Sequence, residues 1–294
     1  MSLIAQRRDR IVIGNPHMTR GAIAVIDALG FKGIWTRERP DAVLRTLKSL
    51  RRKGIRLQGT DHSGVLVSDN GFRHRVRCMS DTIIITVMVK GTREPDRCLY
   101  RAMFSATMIA RDIILEALRS TPPLLFRGCI ATGEMSESSD FLIGPAVDEA
   151  AERYEKADGP FLWLSESALE IERRFADTYN ERLEPALMIP YRVPMSDGTR
   201  VHTQALNYYG ITSDAAFRSK IRSLILQAYG STALPEAVRR KRVNTLKLLH
   251  HVDRLSKVRA WRMWRPLQRP RWTDLTTGQR LMFIAHGIMP EHFQ

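Results

Sequence analysis

The amino-acid sequence predicts an α/β protein, an α+β sandwich whose mixed sheet is flanked by helices, with a helical C-terminal extension. Over residues 1–210, apolar stretches rich in β-branched residues alternate with stretches of helical periodicity, which is the pattern of a sheet covered by helices. After residue 210 the strand patterns stop and the charge changes, because residues 211–294 hold 16 Lys and Arg against 5 Asp and Glu. We therefore expect one domain over residues 1–210 and a basic helical extension over residues 211–294.

The first part of the chain shows the order strand, helix, strand, strand, helix. The stretch from Gly21 to Ala28 is almost wholly apolar and predicts a buried strand. In the helix that follows, apolar residues recur at helical spacing, and Gly54 is expected to end it. The second strand region is divided at Ser80-Asp81, and the helix that begins at residue 98 ends before Pro122-Pro123. The predicted ranges are 21–28, 41–52, 72–89 and 98–120.

The remaining elements continue the alternation and end in a hairpin. Ser165 is in position to cap a helix that begins at Glu166, and the Asp197-Gly198 pair predicts a tight turn between two strands. Beyond residue 210 only helical patterns remain. The predicted strands are 124–132, 161–164, 187–195 and 200–208, and the predicted helices are 144–156, the one from 166, 215–229 and 234–259.

Composition places the chain among globular proteins. Of its 294 residues, 44% are hydrophobic and 26% are charged, so wholesale disorder is excluded. The longest apolar runs fall well short of the ~20 residues that cross a bilayer, and the N-terminus lacks the apolar stretch of a secretory signal, so we expect a cytoplasmic protein. Cys78, Cys98 and Cys129 are far apart and odd in number, which argues against disulfides and against a zinc site.

Two aspartates are surrounded by apolar residues. Asp27 ends the first predicted strand, and Asp81 stands between Ser80 and the run Thr82-Ile83-Ile84-Ile85. A carboxylate in such surroundings must be paired, hydrogen-bonded or bound to a metal. If the two strands are neighbours, both carboxylates converge on divalent cations, and two such ions suit phosphoryl chemistry. The alternative is that each aspartate only accepts hydrogen bonds at the end of its strand.

Four motifs in a fixed order resemble those of the class III nucleotidyl cyclases. Asp27-Ala28-Leu29-Gly30-Phe31 is similar to the family's first metal aspartate with its phosphate loop, and Ser80-Asp81 is similar to the turn that carries the second. The stretch from Arg127 to Gly133 resembles the R-x-G-I-x-x-G strand, and the stretch from Gly144 to Ala151 resembles G-x-x-V-N-x-A-x. The resemblance covers residues 20–210.

The resemblance implies a homodimer with active sites at the subunit interface, in which the ribose 3′-hydroxyl attacks the α-phosphate and diphosphate is released. It implies two divalent ions, Mn²⁺ or Mg²⁺, held by Asp27 and Asp81 with help from the Ala28 carbonyl. Phe31 of the phosphate loop would contact the substrate, and Arg127 would clamp the triphosphate, a task that suits a planar bidentate donor. The alternative for Arg127 is a surface residue paired with a carboxylate.

Two departures from the family pattern concern the base. Where purine cyclases commonly have a Lys that reads adenine, this chain has Arg77, and Phe141 replaces their acidic or small polar partner. A bulky Phe141 would narrow the base pocket, and a donor-only Arg77 suits acceptor oxygens, so we expect uracil. The alternatives are that Arg77 is a solvated strand residue, on one face with Arg73 and Arg75, and that Phe141 belongs to the core.

With these features the chain looks most like the pyrimidine nucleotide cyclases of the bacterial Pycsar antiphage system. That resemblance implies synthesis of cyclic UMP from UTP, or of cyclic CMP from CTP, as a second messenger that activates a partner effector during infection. A purine product is a further alternative.

A third departure concerns transition-state charge. Where purine cyclases have N-x-x-x-R, with the Asn positioning the ribose, this chain has Asp148 and Glu152. Since phosphoryl transfer depends on electrostatic stabilisation, another cation must replace the missing Arg. Arg153, Arg192 and Arg200 are candidates, and Arg153 is placed in the predicted catalytic set. The alternative is a cyclase-like domain without activity.

The basic C-terminal region gives a rival hypothesis. Arg239 to Arg242 and the Trp and Arg residues of 259–272 could bind nucleic-acid phosphates and stack on bases, and a membrane-surface helix is a third possibility. No zinc finger or RNP signature accompanies the charge. The structural interpretation is an apolar helix face that packs on the cyclase-like domain or a second subunit, formed by Leu246, Leu248, Leu249, Val252, Leu255 and Val258.

Overall fold

The computed structural model describes residues 18–58, 71–91, 95–176, 187–208, 215–230 and 234–263. Within these residues eight strands and six α-helices alternate, which confirms the predicted α/β class with a mixed sheet and flanking helices. In chain order they are β1 (Thr19–Ala28), α1 (Pro40–Gln58), β2 (Phe72–Met79), β3 (Thr82–Val89), α2 (Pro95–Arg119), β4 (Phe126–Glu137), β5 (Leu142–Ile143), α3 (Pro145–Arg153), β6 (Leu162–Leu164), α4 (Glu166–Ala176), β7 (Met188–Pro194), β8 (Arg200–Leu206), α5 (Ala215–Tyr229) and α6 (Glu236–Met263).

The strands form one sheet in the order β2-β3-β1-β4-β6-β8-β7, with the short β5 paired to the end of β4. β4 and β6 are parallel, and the other neighbouring strands are antiparallel. β1 is paired along most of its length on both sides, which explains why its sequence is apolar almost throughout. The hairpin between β2 and β3 turns at Ser80 and Asp81, as predicted.

Alternate residues of β1 face two different cores. Ala22, Ala24 and Ile26 lie on the face covered by α1 and α2, whereas Ile23 and Val25 lie on the face covered by α3. All five are at most 5% exposed. Burial of each large aliphatic side chain contributes about 1.5–3 kcal/mol, so both cores hold the strand in place. The next residue on the α3 face of β1 is the first predicted aspartate.

α1 continues past Gly54 to Gln58, so the expectation that this glycine ends the helix is wrong. A Cβ at residue 54 would lie 2.7 Å from Cγ1 of Val76 on β2. The glycine is therefore needed for the close approach of α1 to the sheet. A glycine at a helix end and a glycine at a tight contact look the same in sequence, which is why the boundary was misplaced.

β4 is longer than the predicted strand and extends past Gly133 to Glu137. It pairs with β1 as far as Met135 and then with β5, which begins at Leu142. Gly133 has a φ of 147°, and a glycine inside a strand pattern is a common sign that the strand stops or bends. The extension carries Glu137 over the face of the sheet that bears Asp27, where it meets side chains of β2 and β3.

α5 and α6 contact the rest of the fold through buried side chains. Leu248, Leu249 and Val252 of α6 are at most 2% exposed and belong to the same core as the strands. Leu246 and Leu255 are partly buried against that core, which confirms the predicted apolar face at these positions. The side chain at position 258 lies outside the described residues, and the division of the chain at residue 210 remains a prediction.

None of the helices in the described ranges combines the length and the apolar character of a membrane span. Cys78, Cys98 and Cys129 are not joined to one another by disulfide bonds. Cys129 is buried in the core, and the other two are half-buried.

Candidate active site

The end of β1 and the turn between β2 and β3 bring the two predicted aspartates together. Asp27 is opposite Thr82 in the ladder between β1 and β3, and the hydroxyl of Thr82 donates to Oδ1 of Asp27 at 3.0 Å. The backbone N–H of Ala28 donates to the carbonyl oxygen of Asp81 at 3.1 Å. The strands that carry the two aspartates are therefore neighbours, as predicted, and the charge of Asp81 is close enough to affect Asp27.

Asp27 lies in surroundings that disfavour its charged form. The residue is 9% exposed, and burial is the main reason why its pKa is raised above the usual range. The neighbouring Asp81 raises the pKa further, whereas the hydrogen bond from Thr82 and the charge of Arg127 lower it. A cation beside Asp27 and Asp81 would offset the lost hydration and screen the repulsion between the two carboxylates.

Arg127 lies directly across the ladder between β1 and β4 from Asp27. Its Nη2 is 3.9 Å from Oδ2 of Asp27 and 3.8 Å from Oε2 of Glu155, and its Nη1 donates to the carbonyl oxygen of Glu155 at 2.7 Å. Its Nε is buried and has no hydrogen-bond partner among the described residues. Arg127 is thus held beside the aspartates by one main-chain acceptor and two long ion pairs, so only part of its donor capacity is committed.

Three residues at this end of the sheet were not identified from the sequence. Thr82 could have been found from the register of the predicted hairpin. Tyr154 and Glu155 follow α3, and the pKa of Tyr154 is raised by burial, by the side chain of Glu155 and by the charge of Asp27. No sequence signal places this segment near Asp27, because the loop after α3 has no motif of its own.

The loop after Asp27 makes the predicted turn but uses some of its own donors. Gly30 has a φ of 74°, a conformation that favours glycine. The N–H groups of Leu29 and Phe31 donate to main-chain carbonyls, that of Phe31 to Ala28 at 3.3 Å. Phosphate binding by the rest of this loop, and a metal contact from the Ala28 carbonyl, remain predictions.

Phe31, the residue predicted to contact the substrate from this loop, packs against the core. It meets Trp35 edge-on, with ring centroids 6.4 Å apart. Trp35 is 61% exposed, so the pair forms an aromatic rim that reaches solvent. The role of Phe31 in substrate binding remains a prediction.

Arg77 lies on the same face of the sheet as Asp27. It is opposite Ile84 on β3, which is in turn opposite Val25 on β1. Its Cα is therefore two strands across and two residues along from that of Asp27, a separation of about 12 Å by the usual strand spacing and rise. A nucleotide with its phosphates at Asp27 can extend its base toward Arg77.

The guanidinium of Arg77 is engaged by a carboxylate that the sequence did not single out. Arg77 pairs with Glu137 and also donates to the carbonyl oxygen of Ser138 at 2.7 Å. The side chain of Glu137 is fully buried and lies 3.4 Å from Arg73 and 3.8 Å from Arg75. The predicted alternation along β2 is confirmed, since the three arginines share one face.

The buried Glu137 distinguishes this cluster from a solvated basic strand. One carboxylate facing three guanidinium groups leaves two positive charges in excess. Oε1 accepts from Arg77 and from the hydroxyl of Thr86 at 3.0 Å, whereas Oε2 has the 3.4 Å ion pair with Arg73 but no aligned hydrogen bond among the described residues. Glu137 therefore fixes Arg77 in place, and a guanidinium with five N–H donors keeps some for a base.

Phe141 is 72% exposed in the turn that joins β4 and β5, so its interpretation as a core residue is wrong. Ser138 closes this turn by donating its N–H to the carbonyl oxygen of Phe141 at 2.9 Å and by accepting from the N–H of Phe141 at 3.0 Å. Because Ser138 also accepts from Arg77, Phe141 and Arg77 belong to the same corner of the molecule. The contribution of Phe141 to a base pocket remains a prediction.

The arginines considered as substitutes for the cation missing at position 152 pair with other carboxylates or lie on distant strands of the described subunit. Arg153 is 3.4 Å from Glu166 at the start of α4. Arg192 and Arg200 lie on β7 and β8, at least three strands away from β1. Glu152 itself pairs with Lys156. The catalytic role of Arg153 and of the other two remains a prediction.

Nowhere in the described residues do three or more His, Cys, Asp or Glu side chains come together as a metal site. The carboxylates of Asp27 and Asp81 nevertheless fit a hard divalent ion, because both offer oxygen ligands and burial leaves Asp27 in need of positive charge. Mg²⁺ is usually bound through one or two carboxylates together with substrate phosphates. The pair is therefore suited to an ion that arrives with a phosphate-bearing ligand.

Two cations of the basic run at the start of α6 contact a buried carboxylate, and a third forms an exposed ion pair. Arg239 pairs with Glu236, and Arg240 and Lys241 lie 2.6 and 3.4 Å from the carboxylate of the buried Asp158. The Trp and Arg residues from 261 onward lie outside the described side chains. Three of the four cations of this run therefore have carboxylate partners, which weakens the nucleic-acid hypothesis for this segment.

No protein-family model matches the chain, and no curated protein matches it in sequence. Among solved structures it is similar to the guanylyl cyclase domain of a fusion protein from the aquatic fungus Blastocladiella emersonii, with 15% identity, a TM-score of 0.44, and 65% of this chain and 96% of that chain covered. For a bacterial light-regulated adenylyl cyclase the values are 14%, 0.40, 71% and 100%. For an adenylate/guanylate cyclase/hydrolase from Silicibacter pomeroyi they are 16%, 0.35, 64% and 96%. At such identities and scores we base the assignment of function on the residues of the site.

Proposed function

We propose that the chain is a nucleotidyl cyclase that converts UTP to 3′,5′-cyclic UMP and diphosphate. The observation that carries the proposal is the buried Asp27, joined by sheet pairing to the turn of Asp81 and faced by Arg127 across the next strand. Two carboxylates and a guanidinium at one end of a sheet suit a polyphosphate with its cations.

The chain's own residues would divide the work as follows. Asp27 and Asp81, with the Ala28 carbonyl, would hold two Mn²⁺ or Mg²⁺ ions, which supply charge neutralisation at the phosphates when bound. Arg127 would bind and orient the triphosphate. The 3′-oxygen forms a bond to the α-phosphorus, the bond from that phosphorus to the leaving diphosphate breaks, and the hydroxyl proton passes to water.

The choice of a pyrimidine rests on the corner that holds Arg77. Its guanidinium is fixed by Glu137 and Ser138. A guanidinium offers donors only, which suits the two carbonyl oxygens of uracil better than the exocyclic amine of cytosine or adenine, itself a donor. Phe141 stands on the turn beside it and would form a wall of the pocket. CTP is the alternative substrate within this class.

The wider role follows from the resemblance to the pyrimidine cyclases of antiphage defence. In that role the protein acts in the cytoplasm as a homodimer with active sites at the interface, and its cyclic nucleotide activates a separate effector during infection. A second subunit would also supply further cations in addition to Arg127 beside Asp27.

The test is to incubate the purified chain with each of the four NTPs and Mn²⁺ and to identify the products by mass spectrometry. We expect cyclic UMP as the main product, with the Asp81→Asn variant as the inactive control. Cyclic CMP as the main product would change the assigned substrate to CTP, and cyclic AMP or cyclic GMP would overturn the argument for a pyrimidine base. The absence of a cyclic product with all four NTPs would reject the proposed cyclase activity.

The rival is a cyclase-like protein without activity that binds nucleic acid through its basic helices. It is favoured by one observation: position 152 holds a glutamate paired with Lys156 where a transition-state cation is expected. Binding to duplex DNA should distinguish the two. Affinity that falls steeply with salt supports the rival, whereas negligible binding together with a cyclic product supports the cyclase.

A further inference from the structure

Asp158, in the segment between α3 and β6, is a buried carboxylate in contact with α6. Its side chain is 3% exposed and accepts from Nε of Arg240 at 2.6 Å and from Nδ2 of Asn244 at 3.0 Å, and Nζ of Lys241 is 3.4 Å away. Asn244 also donates to the backbone oxygen of Asp158 at 3.0 Å. α6 therefore binds both the main chain and the side chain of this residue.

The chemistry of this contact makes it specific. A buried carboxylate is strongly unfavourable unless charged and hydrogen-bonding partners surround it. All the side-chain donors described here come from one face of α6, from Arg240, Lys241 and Asn244. Removal of Arg240 would leave Asp158 with only Lys241 and Asn244 of these three partners, so the contact between α6 and the segment would be weakened.

The same segment carries the main-chain acceptor of Arg127. Glu155 lies three positions before Asp158, and its carbonyl oxygen accepts from Nη1 of Arg127. The N–H of Asp158 donates to the carbonyl oxygen of Pro194 at 2.8 Å. Three residues span at most about 10 Å, and Ala157 between them pairs with Met195, so Asp158 and Glu155 belong to one short segment that α6 contacts at one end.

We propose that α6 positions Arg127 through Asp158 and Glu155, so that the C-terminal helix is a working part of the substrate site. This inference rests on the proposed function, because it assigns Arg127 to the triphosphate. Arg240 and Asn244 are positioning residues, since they contact Asp158 and not the substrate. The basic run at the start of α6 then supports the substrate site indirectly, through Asp158.

The test is a double-mutant cycle on triphosphate affinity. Binding of inorganic tripolyphosphate with Mn²⁺ is measured by calorimetry for the full chain, for Arg240→Ala, for Arg127→Ala and for the double variant. We expect Arg240→Ala to weaken binding about tenfold in the native background and less than about twofold beside Arg127→Ala, because coupled residues are not additive. Equal losses in both backgrounds, or no loss in either, would overturn the inference.

Two further variants separate positioning from loss of fold. Arg239→Ala removes an adjacent arginine that pairs with Glu236 on the exposed side of the same helix, and it should leave tripolyphosphate binding unchanged. Arg240→Lys keeps a cation beside Asp158 and should restore part of the affinity. Failure of Arg240→Lys to exceed Arg240→Ala, at equal thermal stability, counts against the positioning role.

A separate measurement keeps this inference distinct from the proposed function. If the native chain binds tripolyphosphate but cyclises no nucleotide, the proposed function fails. The double-mutant cycle of Arg240 and Arg127 then still tests the positioning role of α6. If the native chain does not bind tripolyphosphate, amide hydrogen exchange tests the coupling between α6 and the segment of Asp158. Arg240→Ala should raise exchange in residues 154–158 about tenfold relative to Arg239→Ala, and equal exchange in the two variants would reject the coupling.

Discussion

The backbone N–H of Ala28 donates to the carbonyl oxygen of Asp81 at 3.1 Å. This bond ties the residue after Asp27 to the turn that carries the second aspartate, so the spacing of the two carboxylates is set by strand pairing. Groups held by rigid elements keep the geometry that binding and catalysis require. Changes in charge at this corner should therefore have large effects on activity.

Asp81→Asn should abolish cyclisation while leaving the fold intact. The substitution keeps the shape of the side chain but removes the charge that divalent ions require, and loss of charge stabilisation worth several kcal/mol lowers the rate by at least about 100-fold. Product formation with UTP and Mn²⁺ is the measurement, and circular dichroism checks the fold. Asp112→Asn, on α2 and away from the site, is the matched control and should retain activity. An active Asp81→Asn variant would exclude Asp81 from the mechanism.

Asp27→Asn should stabilise the fold at neutral pH. Burial raises the pKa of Asp27, so the contribution of this group to stability is present below its unfolded pKa and is lost as pH rises through the higher folded pKa. Removal of the charge should raise the free energy of unfolding at pH 7 by about 1 kcal/mol. The difference should shrink as pH falls toward 4, near the ordinary pKa of about 3.9.

Urea denaturation of Asp27→Asn and of the native chain between pH 4 and pH 8 measures this difference. The variant should also lack activity, because the carboxylate is a proposed metal ligand. A variant less stable than the native chain at pH 7 would show that the Asp27 charge is already compensated, for example by Arg127 at 3.9 Å.

Glu137→Gln should lower both stability and base discrimination. Without the buried carboxylate, the positive charges of Arg73, Arg75 and Arg77 are no longer offset. The free energy of unfolding should therefore fall by about 1–3 kcal/mol. Arg77 would also lose the partner that fixes its guanidinium, so the ratio of kcat/KM for UTP to that for CTP should fall. Glu134→Gln is the matched control on β4, where the side chain is exposed. An unchanged ratio in Glu137→Gln would mean that Arg77 does not read the base.

Gly54→Ala should destabilise the protein although alanine is the better helix former. The usual gain of about 1 kcal/mol in a helix is outweighed because the new Cβ would lie 2.7 Å from Cγ1 of Val76, and overpacking of this kind costs about 1–3 kcal/mol. Val76→Ala in the same chain removes the obstructing methyl groups. Thermal unfolding of the two single variants and the double variant should show non-additive losses, and additive losses would contradict the contact.

Much of the fold could be predicted because its helices and strands follow from the local periodicity of apolar residues. The ranges of β2, β3 and α5 and the end of α2 follow from strand and helix patterns bounded by turns and prolines, and the hairpin at Ser80-Asp81 followed from the break in one apolar run. The end of α1 could not be predicted, because the role of Gly54 depends on Val76, a residue of another element. The length of β4 was missed for the same reason, since its last residues are defined by pairing with β5.

The site was predictable only where a motif marks it. Asp27, Asp81 and Arg127 were proposed from their surroundings and motif order, and the structure places them together at one end of the sheet. Glu137 and Asp158 could not be found, because their arginine partners are 60 and 82 positions away in the chain. A charged residue whose partner is so distant looks like any surface residue in the sequence.

The turn that carries Asp81 is built at an energetic disadvantage. Ser80 has a φ of 58°, the one positive value at a non-glycine position within the described ranges, and an L-residue there costs about 1–2 kcal/mol relative to glycine. Two-residue hairpins of this shape favour glycine at that place. Selection for thermal stability alone would therefore be expected to replace Ser80 with glycine. The hydroxyl directly before Asp81 would then be lost.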